Sequence, residues 1–191
     1  MSRGLGDVYK RQGLSGCNIT DFSAENLLRP PKAVGDEAEI EQLIAKTADS
    51  GYTLKYPKNG KFRSAIIMTD LDGNDSNEAV AFFRNSDETS SVHMLVMYSK
   101  DNSWEIASDN IFETTDIDSV DFADLTGNGK AEIIVNSTTY TPNVGKLSCY
   151  SYSEGKTTEV GSGQSCSSFV TGDFDNDGTS EIMSLVLYTT E

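Results

Sequence analysis

Histidine and tryptophan are almost missing from this chain, with one of each in 191 residues. The lone His93 leaves no second imidazole for a histidine-rich metal or catalytic cluster, and no Cys–His pair stands in a recognisable frame. No Gly-x-Ser-x-Gly elbow and no phosphate-cradling glycine loop occurs either, so nothing in the motifs points to catalysis. Basic residues are scarce: 15 Lys and Arg stand against 30 Asp and Glu, a formal net charge of -15. No basic patch interrupts that excess, and a polyanion would be repelled, which argues against nucleic acid as a partner. No apolar run approaches the roughly 20 residues needed to cross a bilayer as a helix. Proline is rare, at four residues, and Pro30–Pro31 marks an extended linker because proline bars helix there.

What the chain does have is acid, and it is spaced. Residues 70–78 read DLDGNDSNE, residues 124–132 DLTGNGKAE and residues 173–181 DFDNDGTSE, so the copies start 54 and 49 residues apart. In register, Asp70, Asp124 and Asp173 occupy position 1, and Asp72, Thr126 and Asp175 position 3. Asn74, Asn128 and Asp177 take position 5; Glu78, Glu132 and Glu181 take position 9. A regular period in this range marks a repeat architecture. Around the loops run short alternating segments bounded by turn residues such as Asp101-Asn102 and Glu154-Gly155. They predict strands at 52–57, 62–70, 77–84, 91–100, 103–111, 119–125, 131–140, 146–153, 156–162, 167–174 and 181–190. One helix is predicted over 36–48, with Asp36 as its cap and an apolar stripe at Ile40, Leu43, Ile44 and Thr47.

Carboxylates at positions 1, 3 and 5 of a tight turn converge on one centre, and the position 9 glutamate closes it from the following strand. Calcium, a hard cation that takes 6–8 oxygens, suits such a set, whereas magnesium keeps its waters and demands stricter geometry. Without an ion each loop is an Asx-rich turn. The expected ligands are Asp173, Asp175, Asp177 and Glu181 in the third loop, Asp70, Asp72, Asn74 and Glu78 in the first, and Asp124, Asn128 and Glu132 in the second. Counting charged ligands at these positions ranks affinity third, first, second. The spacing resembles an EF-hand loop with its glutamate at position 9 instead of 12. Gly172–Ile182, GDFDNDGTSEI, is similar to the loops of FG-GAP and VCBS repeats almost throughout. The first copy departs with Asp75 where glycine is usual, and the second with Thr126 in place of a carboxylate. That resemblance covers roughly residues 62–191 and implies an all-β fold, a partial β-propeller of about 2.5 four-stranded blades preceded by one short helix.

Residues 1–12 resemble a translated sequencing-adaptor peptide and fit no element that follows. Leu14-Ser15-Gly16-Cys17 resembles a bacterial lipobox, in which only cysteine offers the thiol that is acylated. The expected organisation is therefore a lipobox and linker at 13–34, a packing helix at 35–50 and repeats at 51–191, cut short at the C-terminus. If lipid consumes Cys17, Cys149 and Cys166 remain, either as a disulfide or as two thiols. His93 reads as a strand histidine satisfied locally, and Trp104, Tyr140, Tyr150 and Tyr152 as strand aromatics able to pack or to stack on a ligand. Together these features predict a calcium-binding, lipid-anchored binding or scaffold module on a bacterial surface, without catalysis of its own. Its partner would be a surface protein or glycan. The alternative is a non-catalytic accessory domain of a carbohydrate-active or other secreted enzyme, cut short in this chain.

Overall fold

The computed structural model describes residues 35–49 and 51–187. Among them, one helix, α1 (Asp36–Thr47), precedes eleven strands: β1 (Tyr52–Leu54), β2 (Ile66–Thr69), β3 (Glu78–Asn85), β4 (Val92–Lys100), β5 (Ser103–Phe112), β6 (Ile117–Ala123), β7 (Glu132–Thr138), β8 (Gly145–Ser153), β9 (Lys156–Cys166), β10 (Ser168–Gly172) and β11 (Glu181–Leu185). Each predicted segment is present. The fold is mainly β, in three antiparallel sheets, none closed on itself among the described residues.

Sheet 1 runs β1-β3-β4-β5, and β2 also pairs with β3. The two short strands share one edge of β3 end to end, β1 opposite Phe83–Asn85 and β2 opposite Glu78–Ala81. Sheet 2 runs β6-β7-β8-β9, and sheet 3 is the pair β10-β11. Each of β2, β6 and β10 is followed, across an acidic loop, by its antiparallel neighbour.

Burial explains the strand sequences. Six residues in a row are buried at the start of β3 and of β4, because both faces of sheet 1 are covered. Val80, Phe82, Val92, Met94 and Val96 meet Ile117, Val120, Ile133, Val135, Tyr150 and Tyr152 of sheet 2. Their alternates Ala79, Ala81, Phe83, Leu95 and Met97 meet α1 through Ile40 and Ile44, neither of which is exposed at all. Burying such a side chain is worth about 1.5–3 kcal/mol, which fastens a helix of only 12 residues that would be marginal alone. On the far face of sheet 2, Ile134, Leu147 and Cys166 take Phe169 and Ile182 of sheet 3. The order of layers is helix, sheet 1, sheet 2, sheet 3. The outer face of sheet 3 carries Val170, Met183 and Leu185, each at least half exposed.

One expectation changes, and two that were open are decided. The cap of α1 is Gly35 at φ 64, with no side-chain capping bond, and Asp36 is the first helical residue. The Gly35 carbonyl accepts from the amides of Ala38 and Glu39 instead, and Asp36, Glu37 and Glu39 act only through the positive end of the helix. Cys149 and Cys166 are free thiols. In the β8–β9 ladder Cys166 lies opposite Gly145 and Cys149 opposite Gly161. Four strand residues, about 13 Å of rise, therefore separate the two sites, and a disulfide bridges Cα atoms under about 7 Å. Tyr150 and Tyr152 are core residues, 7% and 4% exposed, with Tyr150 edge-on to Phe112 at 5.9 Å. Burial first, then nearby carboxylates, pushes both phenols up to about 12. Neither is available to stack on a ligand. The proposed lipid site Cys17 and the linker lie outside the described residues.

Candidate metal sites

The three acidic loops join β2 to β3, β6 to β7 and β10 to β11, and one hydrogen-bond scheme builds all of them. The position 1 aspartate accepts from the amides of positions 5 and 6: Asn74 and Asp75 on Asp70, Asn128 and Gly129 on Asp124, Asp177 and Gly178 on Asp173. The side-chain oxygen at position 5 accepts from the amide of position 7: Ser76 on Asn74, Lys130 on Asn128 and Thr179 on Asp177, at 2.7–2.8 Å. The position 9 glutamate stands first in its strand and accepts from the amide of position 2: Leu71 on Glu78, Leu125 on Glu132 and Phe174 on Glu181, at 2.8–2.9 Å. Positions 4 and 6 have positive φ in every copy: Gly73 and Asp75, Gly127 and Gly129, Asn176 and Gly178. Asp75 and Asn176 are of the two residue types that tolerate this conformation best after glycine.

The loops also stack side by side. The Ala131 amide donates to the Leu71 carbonyl at 3.0 Å, and the Ser180 amide to the Asp124 carbonyl at 2.9 Å. Gly73 has no room for a side chain, since a Cβ there would lie 2.7 Å from the Gly129 carbonyl oxygen. Gly127 faces Thr179 in the same way, at 3.0 Å. Loop 1 thus leans on loop 2 as loop 2 leans on loop 3.

Their capacity for metal differs. Asp173, Asp175, Asp177 and Glu181 bring one oxygen each within 4.8 Å of one another, as do Asp70, Asp72 and Glu78. Either group can hold a metal ion. In loop 1 Glu78 is buried, and the Oδ1 of Asp72 is buried without a hydrogen-bond partner. A carboxylate oxygen without a donor is costly unless a cation takes it, so these residues fit one. Loop 2 has two carboxylates, Asp124 and Glu132, with Thr126 at position 3. The charges respond to this frame. Burial, then the neighbouring aspartates, raises the Glu78 carboxyl against the opposing bond from Leu71, and burial likewise raises Glu132. For Asp70 and Asp124 desolvation is the largest single influence and pushes upward, but four amide hydrogen bonds together outweigh it and hold both carboxyls below the usual range.

His93 is buried on the helix side of sheet 1, as a satisfied strand histidine. Its Nδ1 meets Asp109 at 2.9 Å, its Nε2 meets Glu88 at 3.0 Å and Asn85 at 3.2 Å, and the ring stacks on Phe83 at 4.8 Å. Trp104 is partly buried against the helix cluster, while Tyr140 is 92% exposed. A polar cleft where Asn59, Asp118 and Asn136 meet is not among the sites expected above. Those residues are far apart in the chain, and only the polar run Asn136–Asn143 after an apolar strand hinted at it.

Among the described residues no helix is long and apolar enough to cross a membrane. Comparison with protein-family models, with curated proteins and with solved structures finds no match.

Proposed function

We propose that this protein is a calcium-stabilised binding module of a bacterial cell surface, tethered by lipid at Cys17 and without catalysis of its own. We read its three sheets as two blades and the inner half of a third in a β-propeller of the FG-GAP/VCBS type. Support for the blade reading is the serial packing of sheets 1, 2 and 3, with β2, β6 and β10 each turned back into its neighbour by an acidic loop. The observation that carries the metal reading is the clustering of carboxylate oxygens within 4.8 Å in loops 1 and 3, with Asp72 Oδ1 left unpartnered. Asp70, Asp72, Asn74 and Glu78 would hold one ion and Asp173, Asp175, Asp177 and Glu181 another. Calcium would neutralise the crowded charges and fix each loop against its neighbour. All-oxygen donors favour calcium over softer metals, and extracellular calcium modules work at about 10⁻⁴–10⁻³ M.

Thermal unfolding of the full chain in calcium and in EDTA tests this. At a hundred times the dissociation constant each occupied site adds about 2.7 kcal/mol of stability. Identical melting curves, with no heat on titrating calcium into the EDTA-treated, dialysed protein, would end the metal reading.

A further inference from the structure

The helix covers sheet 1 unevenly. α1 lies chiefly over β3 and β5, and beside it a groove of about 190 Å³ runs along the edge strands β1 and β2, lined by Glu37, Glu41, Leu54, Tyr56, Ile66 and Met68. Leu54 and Ile66 pack partly against the helix cluster, whereas Tyr56 and Met68 are 59% and 39% exposed. The groove is smaller than the roughly 300–1,000 Å³ of a small-molecule cleft, so it suits the side chains of a segment laid along it. The strand beside it also has an open edge. β2 pairs with β3 on one side and with no strand on the other among the described residues, and Ile66–Thr69 carries no charge, proline or register shift. The outer strands β5 and β9 are guarded by contrast: their ladders are broken by register shifts, and Glu105, Asp109, Lys156 and Glu159 stand along them.

Charge selects the segment. Glu37 and Glu41 reach the groove from α1, and Asp36 and Glu37 line its continuation past Met68. No lysine, arginine or histidine lines either part, and neither glutamate has an ion-pair partner among the described residues. Glu41 is half-buried, so it has lost part of its water without gaining a cation. These carboxylates do not converge as the metal clusters of loops 1 and 3 do. An anionic segment would be repelled by them and by the net charge of -15. What fits is a chain that carries lysine or arginine beside apolar side chains. An extended backbone meets both needs, since alternate residues face one side and its amides and carbonyls pair with a free strand edge.

We propose that this groove takes an extended, basic segment of a partner protein, which adds to the open edge of β2, seats alternate apolar side chains against Leu54, Ile66 and Met68, and sets a lysine or arginine against Glu37 and Glu41. The proposal rests on the reading of the protein as a binding module and not on the metal loops. Amide-correlation NMR of the full chain tests it, with the peptide Ac-Lys-Val-Arg-Val-Lys-Val-NH2 as probe and Ac-Glu-Val-Asp-Val-Glu-Val-NH2 as its acidic counterpart. Salt at about 0.15 M screens loose attraction to the net charge. The basic peptide is expected to move the resonances of Ile66–Thr69 and of Glu37 and Glu41, with a dissociation constant of about 0.1–1 mM, and the acidic one to move none. The double variant Glu37→Gln with Glu41→Gln should weaken binding about tenfold, and Met68→Ser about threefold; these side chains are exposed or half-buried, and the same spectra report whether each variant folds. No shifts at up to about 5 mM basic peptide, shifts confined to the three acidic loops, or binding unchanged in both variants would overturn the proposal. So would a dimer in sedimentation that Met68→Ser dissolves, which would give the groove to a second copy. Repeating the titration in EDTA separates the two readings. Peptide binding beside calcium-insensitive melting counts only against the metal, and calcium-dependent melting without peptide binding counts only against the groove.

Discussion

Loops 1 and 2 share one backbone and differ in their side chains, and the difference separates two jobs that the acidic pattern merges. Position 1 aspartate and position 9 glutamate occur in both, and in both they accept backbone amides that would otherwise be unpaired inside the turn. Position 3 is what changes: Asp72, with a buried unpartnered oxygen, against Thr126. The repeated spacing of acids therefore builds the turn, and the position 3 residue sets how many carboxylates the turn can offer an ion. A loop can keep this turn with fewer carboxylates, as loop 2 does with Asp124 and Glu132 alone.

The largest effect should come from removing the shared glutamates. Glu132→Ala leaves the Leu125 amide unpaired and opens a cavity at a site 2% exposed, and should cost about 3 kcal/mol in urea unfolding. The loss should be equal in calcium and in EDTA. Glu78→Ala should cost about as much in EDTA and distinctly more in calcium, because it also removes a ligand. If Glu132→Ala proves as calcium-dependent as Glu78→Ala, loop 2 binds metal and the comparison fails.

Position 3 sharpens the contrast from the other side. Wild-type protein should bind two calcium ions by calorimetry, loop 3 more tightly than loop 1. Thr126→Asp should raise the number to three, while Asp72→Asn should weaken the loop 1 site by about tenfold or more. Neither change touches an amide of the shared scheme, so stability in EDTA should move by under about 0.5 kcal/mol. A stoichiometry that stays at two in Thr126→Asp would show that the second loop is closed to metal for a reason other than charge.

The stacking of loops offers a third, smaller test. Gly73→Ala places a Cβ 2.7 Å from the Gly129 carbonyl in a residue at φ 74. Gly129→Ala has a similar φ of 79 but open space around its Cβ. Both lose about 1 kcal/mol to the backbone conformation, and only Gly73→Ala should lose about 1 more by prying loop 1 from loop 2. Equal melting temperatures for the two variants would remove the stacking from the account.

Much of this was written locally. Short alternating or apolar segments between turn residues located every strand, and the i, i+3, i+4 spacing of Ile40, Leu43 and Ile44 found the face of α1 that is buried. The positions of the loops were legible, because the bonds that shape each turn lie within its own nine residues, whereas the bonds between loops were not. What period 2 cannot convey is which edge meets which. Nothing in YTL says that β1 shares the edge of β3 with β2. Nothing in the cysteine spacing says that β9 runs on to Cys166 through two register shifts, carrying that thiol away from Cys149. The cleft is assembled from residues 59, 118, 136 and 145, so its polarity was dispersed among four segments that each looked ordinary. Tyr140, Tyr150 and Tyr152 read alike as aromatics able to pack or to stack, and only the packing of sheet 1 on sheet 2 decides between the two, burying two and leaving one in water.

The smallest effect concerns protons and again divides the shared residues. Glu78 and Glu132 have raised carboxyls, so above their ordinary value of 4.5 the native chain holds more protons than the unfolded one. Their contribution therefore falls as pH rises through those raised values. Asp70 and Asp124 have lowered carboxyls, and their contribution is present above 3.8 and lost as pH falls through the lowered values. In EDTA these four groups together favour the interval between the two pairs and lose ground toward neutral pH. On the proposed reading, calcium should reverse that loss at Glu78, where the ion needs the charge, and leave it at Glu132, where there is no third carboxylate. Urea unfolding between pH 4.5 and 7 should therefore show a calcium stabilisation that grows with pH. Glu132→Gln, which keeps an acceptor for Leu125 and drops the buried charge, should flatten the decline seen in EDTA. A calcium increment that is constant over this range would mean that Glu78 is not a ligand, and the distinction between loops 1 and 2 would then rest on Asp72 alone.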